Sequence, residues 1–235
     1  MMFSMNRYQT DSPVTRLALH SNSAYLWSSQ LHQGLHSLEA KRSLDVLIGT
    51  VAMILLSPLM LLVAVLIKLN DGGPVLFTQS RIGRFGVPFK FYKFRSMRTD
   101  APKLKAALMG ENLHGSGITF KLKRDPRITW IGRIIRKLSI DELPQLWNVL
   151  KGDMSLVGPR PPVPEEVKMY EPNHHLRFSV QPGITCLWQV LGRAKLPFDE
   201  QVLLDIEYIR NRTLWLDFRL LVMTVPAVVL CRGAY

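Results

Sequence analysis

The sequence predicts a mainly α-helical chain with one small β-hairpin. It reads as a monotopic membrane protein built on a re-entrant, proline-kinked helix, with further amphipathic helices in the interface. Three observations predict this. Val46 to Ile67 forms an apolar run of 22 residues without a charge, long enough for a membrane helix. Ser57 and Pro58 interrupt that run near its middle. Basic residues flank both of its ends, Lys41 and Arg42 before it and Lys68, Arg81, Arg84, Lys90, Lys93 and Arg95 after it.

Residues 1–40 are rich in Ser, His, Gln and Asn and carry only Arg7, Arg16, Asp11 and Glu39 as charges. They lack the basic start, apolar stretch and small-residue site of a secretory signal, so a flexible tail is expected. The formal charge of +12, from 30 Lys and Arg against 18 Asp and Glu, therefore belongs to residues 41–235. Such an excess suits phosphate-rich partners: nucleic acid, anionic lipid or nucleotides. Cys186 and Cys231 are the two cysteines, and they offer neither a disulfide framework nor a metal-type spacing.

Residues 41–70 carry the membrane element. A helix of a soluble core rarely lacks any polar stripe over six turns, which sets that alternative aside. Pro58 removes one backbone donor and crowds the carbonyl four residues back, while the Ser57 hydroxyl can bond to the loosened backbone. The halves on either side of the break are each about 15–18 Å long at ~1.5 Å per residue, enough to reach mid-bilayer and return. Positive charge at both ends draws both to the cytoplasm, which a kinked single span would not satisfy.

Residues 71–235 form the body. The turn signal Asn70-Asp71-Gly72-Gly73-Pro74 precedes VLFTQSRIG and VPFKFYKF, read as two strands of a hairpin around Gly83 and Gly86. Between Arg81 and Lys105, eight basic residues face the single acid Asp100 and alternate with Phe85, Phe89, Phe91, Tyr92 and Phe94. That mixture suits nucleobase stacking or a lipid interface, and beside a membrane anchor the interface is favoured. Ala101 to Asn112 is expected as a surface helix, and Gly110, Gly115 and Gly117 as a flexible loop. KLKRDPRITWIGRIIRK, 121–137, places Trp130, Ile131, Ile134, Ile135 and Leu138 at helical spacing. It is either an ordinary packed helix with a solvated face or an interfacial one that aims Arg133 or Arg136 at phosphate. LWLDFRLLVMTVPAVVL near the C-terminus is apolar, interrupted by Asp217 and Arg219 and broken by Pro226; it is expected along the interface.

SIDELPQLWNVLKGDMSLVGPRPP, from Ser139 to Pro162, is the densest stretch for chemistry. Pro144 fixes a helix start near Ser139 or Asp141, which puts Asp141 and Glu142 at a helix N-terminus. That place suits a carboxylate, a phosphate, or a carboxylate-bound magnesium ion bridging them. Ser139 and Glu142 also fit an ordinary capping box, S-x-x-E, so spacing alone leaves both readings open. Glycines and prolines around Arg160 can hold its guanidinium for bidentate contact with phosphate, and Arg136 lies five residues before Asp141. Paired carboxylates among arginines make sense where a phosphoryl group is the electrophile.

These residues resemble the bacterial polyprenyl-phosphate sugar-phosphate transferases, the monotopic phosphoglycosyl transferases. The likeness runs from about Lys41 to the C-terminus. It rests on KRSLDV, the Ser57-Pro58 break, FYKFRSM, DPRIT, RKLSIDELPQLWNVLKGDMSLVGPRP, QPGIT followed by WQVLGR, and Asp205 to Asn211. The ending PAVVLCRGAY is similar to members that start exopolysaccharide repeat units, with galactose or glucose as the sugar. The resemblance makes 71–235 a catalytic domain on the cytoplasmic face of the bacterial inner membrane. It implies a UDP-sugar donor, undecaprenyl phosphate as acceptor, Mg2+ as cofactor, UMP as product and a covalent phospho-aspartate on Asp141. Asp141 would also hold the metal, Glu142 would assist, and Arg136, Lys93, Arg95 and Arg160, with Pro159 and Pro161 shaping the loop, would bind substrate. The bilayer is a further partner, a second copy of the chain could join as a homodimer, and nucleic acid is not expected. A basic scaffold binding nucleic acid and a magnesium-dependent phosphohydrolase are the rival readings. Cys186 stands where many relatives carry Gly, a mild departure.

Overall fold

The computed structural model describes residues 30–105, 125–191 and 196–229. Residues 40–235 form one unit, which holds the hairpin, both apolar cores and the carboxylate pair. Residues 1–29 of the expected tail, most of the expected helix after Lys105, the glycine loop at 110–117 and the basic residues 121–124 lie outside the described residues; residues 30–40, expected in the tail, are instead helical and lead directly into the apolar run.

The apolar run lies in one helix, α1, Gln30–Asp71, with Pro58 inside it. The backbone stays helical across Ser57-Pro58, and the Ser57 hydroxyl donates to the Ile54 carbonyl at 2.8 Å. Only 11 % of its most apolar 18-residue window is buried inside the protein. Ile54, Leu55, Leu61 and Leu62 are all exposed, a surface that water does not favour at ~25 cal/mol per Å². Yet the helix is gripped on both sides of the proline. Ala52 and Met53 pack on a core of Phe91, Leu146, Val149, Met154, Leu156, Val157, Tyr208 and Leu220. Val63 and Ile67 join Phe94, Ile131 and Ile135 in a second core.

Polar ties fix the start of the apolar run to the same body. Arg42 donates to the carbonyls of Val149 and Leu150, the Asp45 carboxylate accepts from Leu156 N, and Lys41 reaches both Val157 O and Asp217. The KRSLDV stretch is therefore a docking surface as well as a flank.

The hairpin forms as its pattern predicts. Strands β1, Leu76–Ile82, and β2, Pro88–Phe94, pair antiparallel with Phe77 opposite Lys93 and Arg81 opposite Phe89. Helix α2, Ala101–Lys105, follows. Helix α3 is shorter than the basic 121–137 pattern suggests: it spans Trp130–Lys137. Asp125 accepts from the backbone and guanidinium of Arg127 in a tight turn before Thr129, whose hydroxyl accepts from Gly132 N as the cap. The proline after Asp125 disfavours helix there, so the helix starts at the threonine. Ile131 and Ile135 are buried while Trp130, Ile134 and Leu138 are exposed, so α3 carries a second apolar face without a partner among the described residues.

Then come a 3-10 turn, Ile140–Glu142, helix α4, Gln145–Lys151, and strand β3, Ser155–Val157. After α5, Pro164–Val167, and a 3-10 stretch, Pro172–Ser179, strand β4, Gly183–Thr185, lies parallel to β3 with Ser155 opposite Gly183. This second two-stranded ladder is not foreshadowed by its three-residue strands. Gly158 and Gly183 allow it: a Cβ on Gly183 would stand 2.0 Å from Gly158 N, and one on Gly158 would stand 2.4 Å from Gln181 O.

Helices α6, Leu187–Leu191, α7, Phe198–Asn211, and α8, Leu214–Val229, close the body. Pro226 lies inside α8, whose described residues stay helical through Val229, so the break expected there is not seen. The charge that interrupts this apolar stretch is structural: buried Asp217 accepts from Tyr208 Oη at 2.7 Å and pairs with Lys41. On its other side, exposed Trp215 and Phe218 stack at 5.7 Å, with Val222 and Val225 exposed beyond them.

Candidate active site

Asp141 and Glu142 sit in the 3-10 turn ahead of α4, not in its first turn. The turn is set by Ser139, which holds a left-handed backbone at φ 55 and makes no capping bond through its side chain. The capping box expected from S-x-x-E does not form. The reason is electrostatic: the Glu142 carboxylate is engaged elsewhere. Lys93 Nζ lies 2.8 Å from its Oε1, and Arg160 Nη1 lies 3.6 Å from the same oxygen. Cations, rather than the amides of a helix end, hold this carboxylate.

Asp141 is 7 % exposed, with Lys93 Nζ at 3.6 Å. Burial raises its pKa, and the neighbouring Glu142 charge raises it further against the pull of Lys93, Arg136 and Arg160. For Glu142, burial pushes upward too, but Lys93 and Arg160 outweigh it and bring the pKa down to about 2. Two adjacent carboxyls are thus driven apart: Glu142 is a fixed anion, and Asp141 carries the more basic, less satisfied oxygens.

The loop with Arg160 is fixed through its carbonyls. Gly183 N donates to Pro159 O at 2.9 Å, Arg177 Nη2 to Arg160 O at 3.2 Å, Arg81 Nη1 to Pro161 O at 2.9 Å and Ile82 N to Pro162 O at 3.0 Å. Arg81 is held down to about 10 by burial and by the Arg160 charge, and it remains a cation at neutral pH.

Of the residues expected to bind substrate, Lys93 and Arg160 join the carboxylate pair directly. Arg136 acts on Asp141 by charge. Pro159 and Pro161 line a tight niche with Arg160 and Arg177. Arg95 is not brought to the carboxylates. It lies just past β2, buried, paired with Asp71 and pressed over Gly73, and so ties the exit of α1 to the hairpin.

The motifs do not single out Arg177 and Asp205 as site residues. Arg177 Nε donates to Asp205 Oδ2 at 2.9 Å and Arg177 Nη1 to Tyr170 Oη at 2.7 Å, with Asp205 fully buried and raised by that burial to about 6 despite the guanidinium. Asp205 belongs to a stretch the family likeness covers, but Arg177 lies 28 residues before it, and no local pattern links the two.

For a metal, no group of three or more His, Cys, Asp or Glu is gathered among the described residues. Magnesium needs less: one or two carboxylates, with water and substrate phosphates filling its octahedron. The open oxygens of Asp141 fit such a partial site, whereas Glu142 is already neutralised.

Two carboxyls of opposed basicity, ringed by Lys93, Arg136 and Arg160, make a centre suited to phosphoryl groups, and among the described residues one helix, α1, has the length and composition to cross a membrane. The chain belongs to the bacterial sugar transferase family, whose model matches residues 36–231. It is 48 % identical over 198 residues to the galactosyl transferase CpsE of Streptococcus agalactiae serotype III, covering 84 % of this chain and 44 % of that protein. It is 42 % identical over 199 residues to the exopolysaccharide production protein ExoY of Rhizobium meliloti, covering 83 % and 88 %. It is 43 % identical over 198 residues to the undecaprenyl-phosphate galactose phosphotransferase of Salmonella typhimurium, covering 83 % and 41 %. The chain thus spans most of ExoY and less than half of the other two.

Proposed function

We propose that this protein transfers a sugar 1-phosphate from a UDP-sugar to undecaprenyl phosphate, releasing UMP, as the first step in assembling an exopolysaccharide repeat unit. The observation that carries this reading is the split pair: a buried, raised-pKa Asp141 carboxyl beside a Glu142 neutralised by Lys93 and Arg160. The names of the relatives support the same reaction class, CpsE as a galactosyl transferase and the Salmonella protein as an undecaprenyl-phosphate galactose phosphotransferase. Galactose and glucose are the first sugars to test.

The chemistry follows from the residues. An Asp141 oxygen attacks the sugar-bearing phosphorus of the donor. The new P–O bond forms as the bond to the bridging oxygen breaks, and that oxygen leaves on UMP. The sugar phosphate is then an acyl phosphate on Asp141. An oxygen of the lipid phosphate attacks the same phosphorus, and the Asp141 carboxylate is released unchanged. Lys93 and Arg160 offset the charge that builds on the phosphoryl oxygens, and Arg136 adds to the same field. Bound Mg2+, held by Asp141 and the diphosphate, would supply further charge neutralisation. Glu142 keeps Lys93 and Arg160 in place.

The same reading sets this centre at the cytoplasmic face of the bacterial inner membrane, with α1 re-entrant at Ser57-Pro58. Its support is that Lys41, Arg42 and Asp45 at one end of the apolar run and Val63 and Ile67 towards the other pack on a single charged body. A straight span would carry one of those ends across about 30 Å of hydrocarbon. The exposed faces of α3 and α8, with Trp130, Trp215 and Phe218, suit an interfacial position.

The test is UMP release across a panel of UDP-sugars, with and without undecaprenyl phosphate. Multiple turnovers only when the lipid is present support the reading. Release of sugar 1-phosphate to water without lipid would favour a hydrolase instead.

A further inference from the structure

Four consecutive carbonyls, from Pro159 to Pro162, are each held by a donor from another part of the chain. Three of those residues are prolines, so the loop has few amides of its own with which to fold upon itself. Its shape therefore depends on the donors that grip it from outside. Two of the four are guanidinium groups that touch neither carboxylate of the centre, Arg177 and Arg81.

Arg177 is the more constrained of the two. Its Nε and Nη2 both reach Asp205 Oδ2, at 2.9 and 2.6 Å, its Nη1 donates to the Tyr170 hydroxyl at 2.7 Å, and its Nη2 also reaches the Arg160 carbonyl at 3.2 Å. Its side chain is 5 % exposed and that of Asp205 is 0 %. Burying such a pair costs desolvation that its own attraction hardly repays, so it is weak evidence for stability. What the pair does supply is direction. Asp205 fixes the plane of the guanidinium, and that plane presents Nη2 to the Arg160 carbonyl. The Arg160 side chain, a third exposed, then projects from a pinned backbone toward Glu142.

The geometry points to Arg177, oriented by Asp205, as a positioning residue that sets Arg160 for the transferred phosphate, with Arg81 as a second clamp one residue along. This rests on the phosphoryl-transfer function proposed for the same centre. Arg177 touches no reacting atom in this arrangement; it acts through Arg160.

A double-mutant cycle tests it, with UMP release from a UDP-sugar in the presence of undecaprenyl phosphate as the readout and Tm measured on each variant. Arg177→Lys keeps a cation beside Asp205 but lacks the fork needed for three acceptors at once. The expected result is a loss of about tenfold in kcat/KM in the otherwise native protein, as misplacement of a binding group produces. In an Arg160→Ala background the same change should cost less than about twofold, because the group it positions is gone. Faster amide exchange at Ile82 and Gly183, whose N–H groups hold the same loop, should accompany Arg177→Lys. Losses that multiply, tenfold in both backgrounds, would overturn the proposal, as would full activity in Arg177→Lys. If Arg177→Lys does not fold, Arg81→Gln replaces it in the cycle, with the same two outcomes read at the Pro161 carbonyl. Wild-type protein that releases no UMP from any UDP-sugar would overturn the parent reading and this proposal with it, whereas active wild type with multiplicative losses overturns the clamp alone.

Discussion

Lys93 Nζ stands between the two adjacent carboxyls, 2.8 Å from Glu142 Oε1 and 3.6 Å from Asp141 Oδ2. One cation thus satisfies Glu142 well and Asp141 poorly, and this unequal sharing distinguishes the two residues. It gives them opposite linkage between charge and folding.

Asp141→Asn should abolish transfer and leave the fold more stable at pH 7. The carboxyl is raised when folded, so the folded state binds protons more tightly than the unfolded chain, and stability falls as pH rises above the unfolded value near 3.8. Asn removes that penalty. Thermal unfolding at several pH values checks this: the variant's advantage should be present at pH 7 and vanish well below the unfolded value, where the carboxyl is protonated in both states.

Glu142→Gln should behave in the opposite sense. The folded pKa is about 2 against 4.5 in the unfolded chain, so ionised Glu142 stabilises the fold above the unfolded value and that contribution is lost as pH falls toward the folded one. The variant should be less stable than wild type at pH 7, on the order of 2 kcal/mol, with the gap closing in acid. Chemical denaturation at neutral pH and again in acid measures it.

Gly158→Ala should destabilise the protein by about 2 kcal/mol or more, since its Cβ would meet Gln181 O at 2.4 Å and the β3–β4 pairing would have to open. Because Pro159 and Arg160 follow directly, donor turnover should fall further than the stability loss explains. Comparing fraction folded with kcat/KM for a UDP-sugar separates the two effects.

For α1, single cysteines near Gln30 and Lys103, in a background without Cys186 and Cys231, should both resist a membrane-impermeant thiol reagent added from the periplasmic side. Labelling of one and not the other would mean that the helix spans the membrane, and the re-entrant reading would fail.

How much of the fold and the site is legible in the sequence depends on range. The hairpin is readable because strand alternation and Gly83 and Gly86 are local signals. The apolar helix is readable because 22 uncharged residues in a row have few alternatives. The start of α3 is displaced by several residues because the basic run hides a cap at Thr129 that only the Asp125 turn reveals. Spacing leaves Asp141 and Glu142 open between a site and a capping box that Ser139 and Glu142 do not make, and the loop pattern and family likeness add Arg160. Arg95 reads as a companion of Lys93 and is instead tied to Asp71. The β3–β4 ladder and the Arg177–Asp205 pair depend on contacts across many residues, and short strands or single charges carry no periodicity to announce them.

That Asp141 is the nucleophile is tested most directly by incubating the protein without lipid acceptor with a UDP-sugar labelled in the sugar, then quenching in acid. Label should remain on the wild-type protein, be discharged by added undecaprenyl phosphate, and be absent from Asp141→Asn. Label retained by Asp141→Asn, or none on an active wild-type protein, would contradict it.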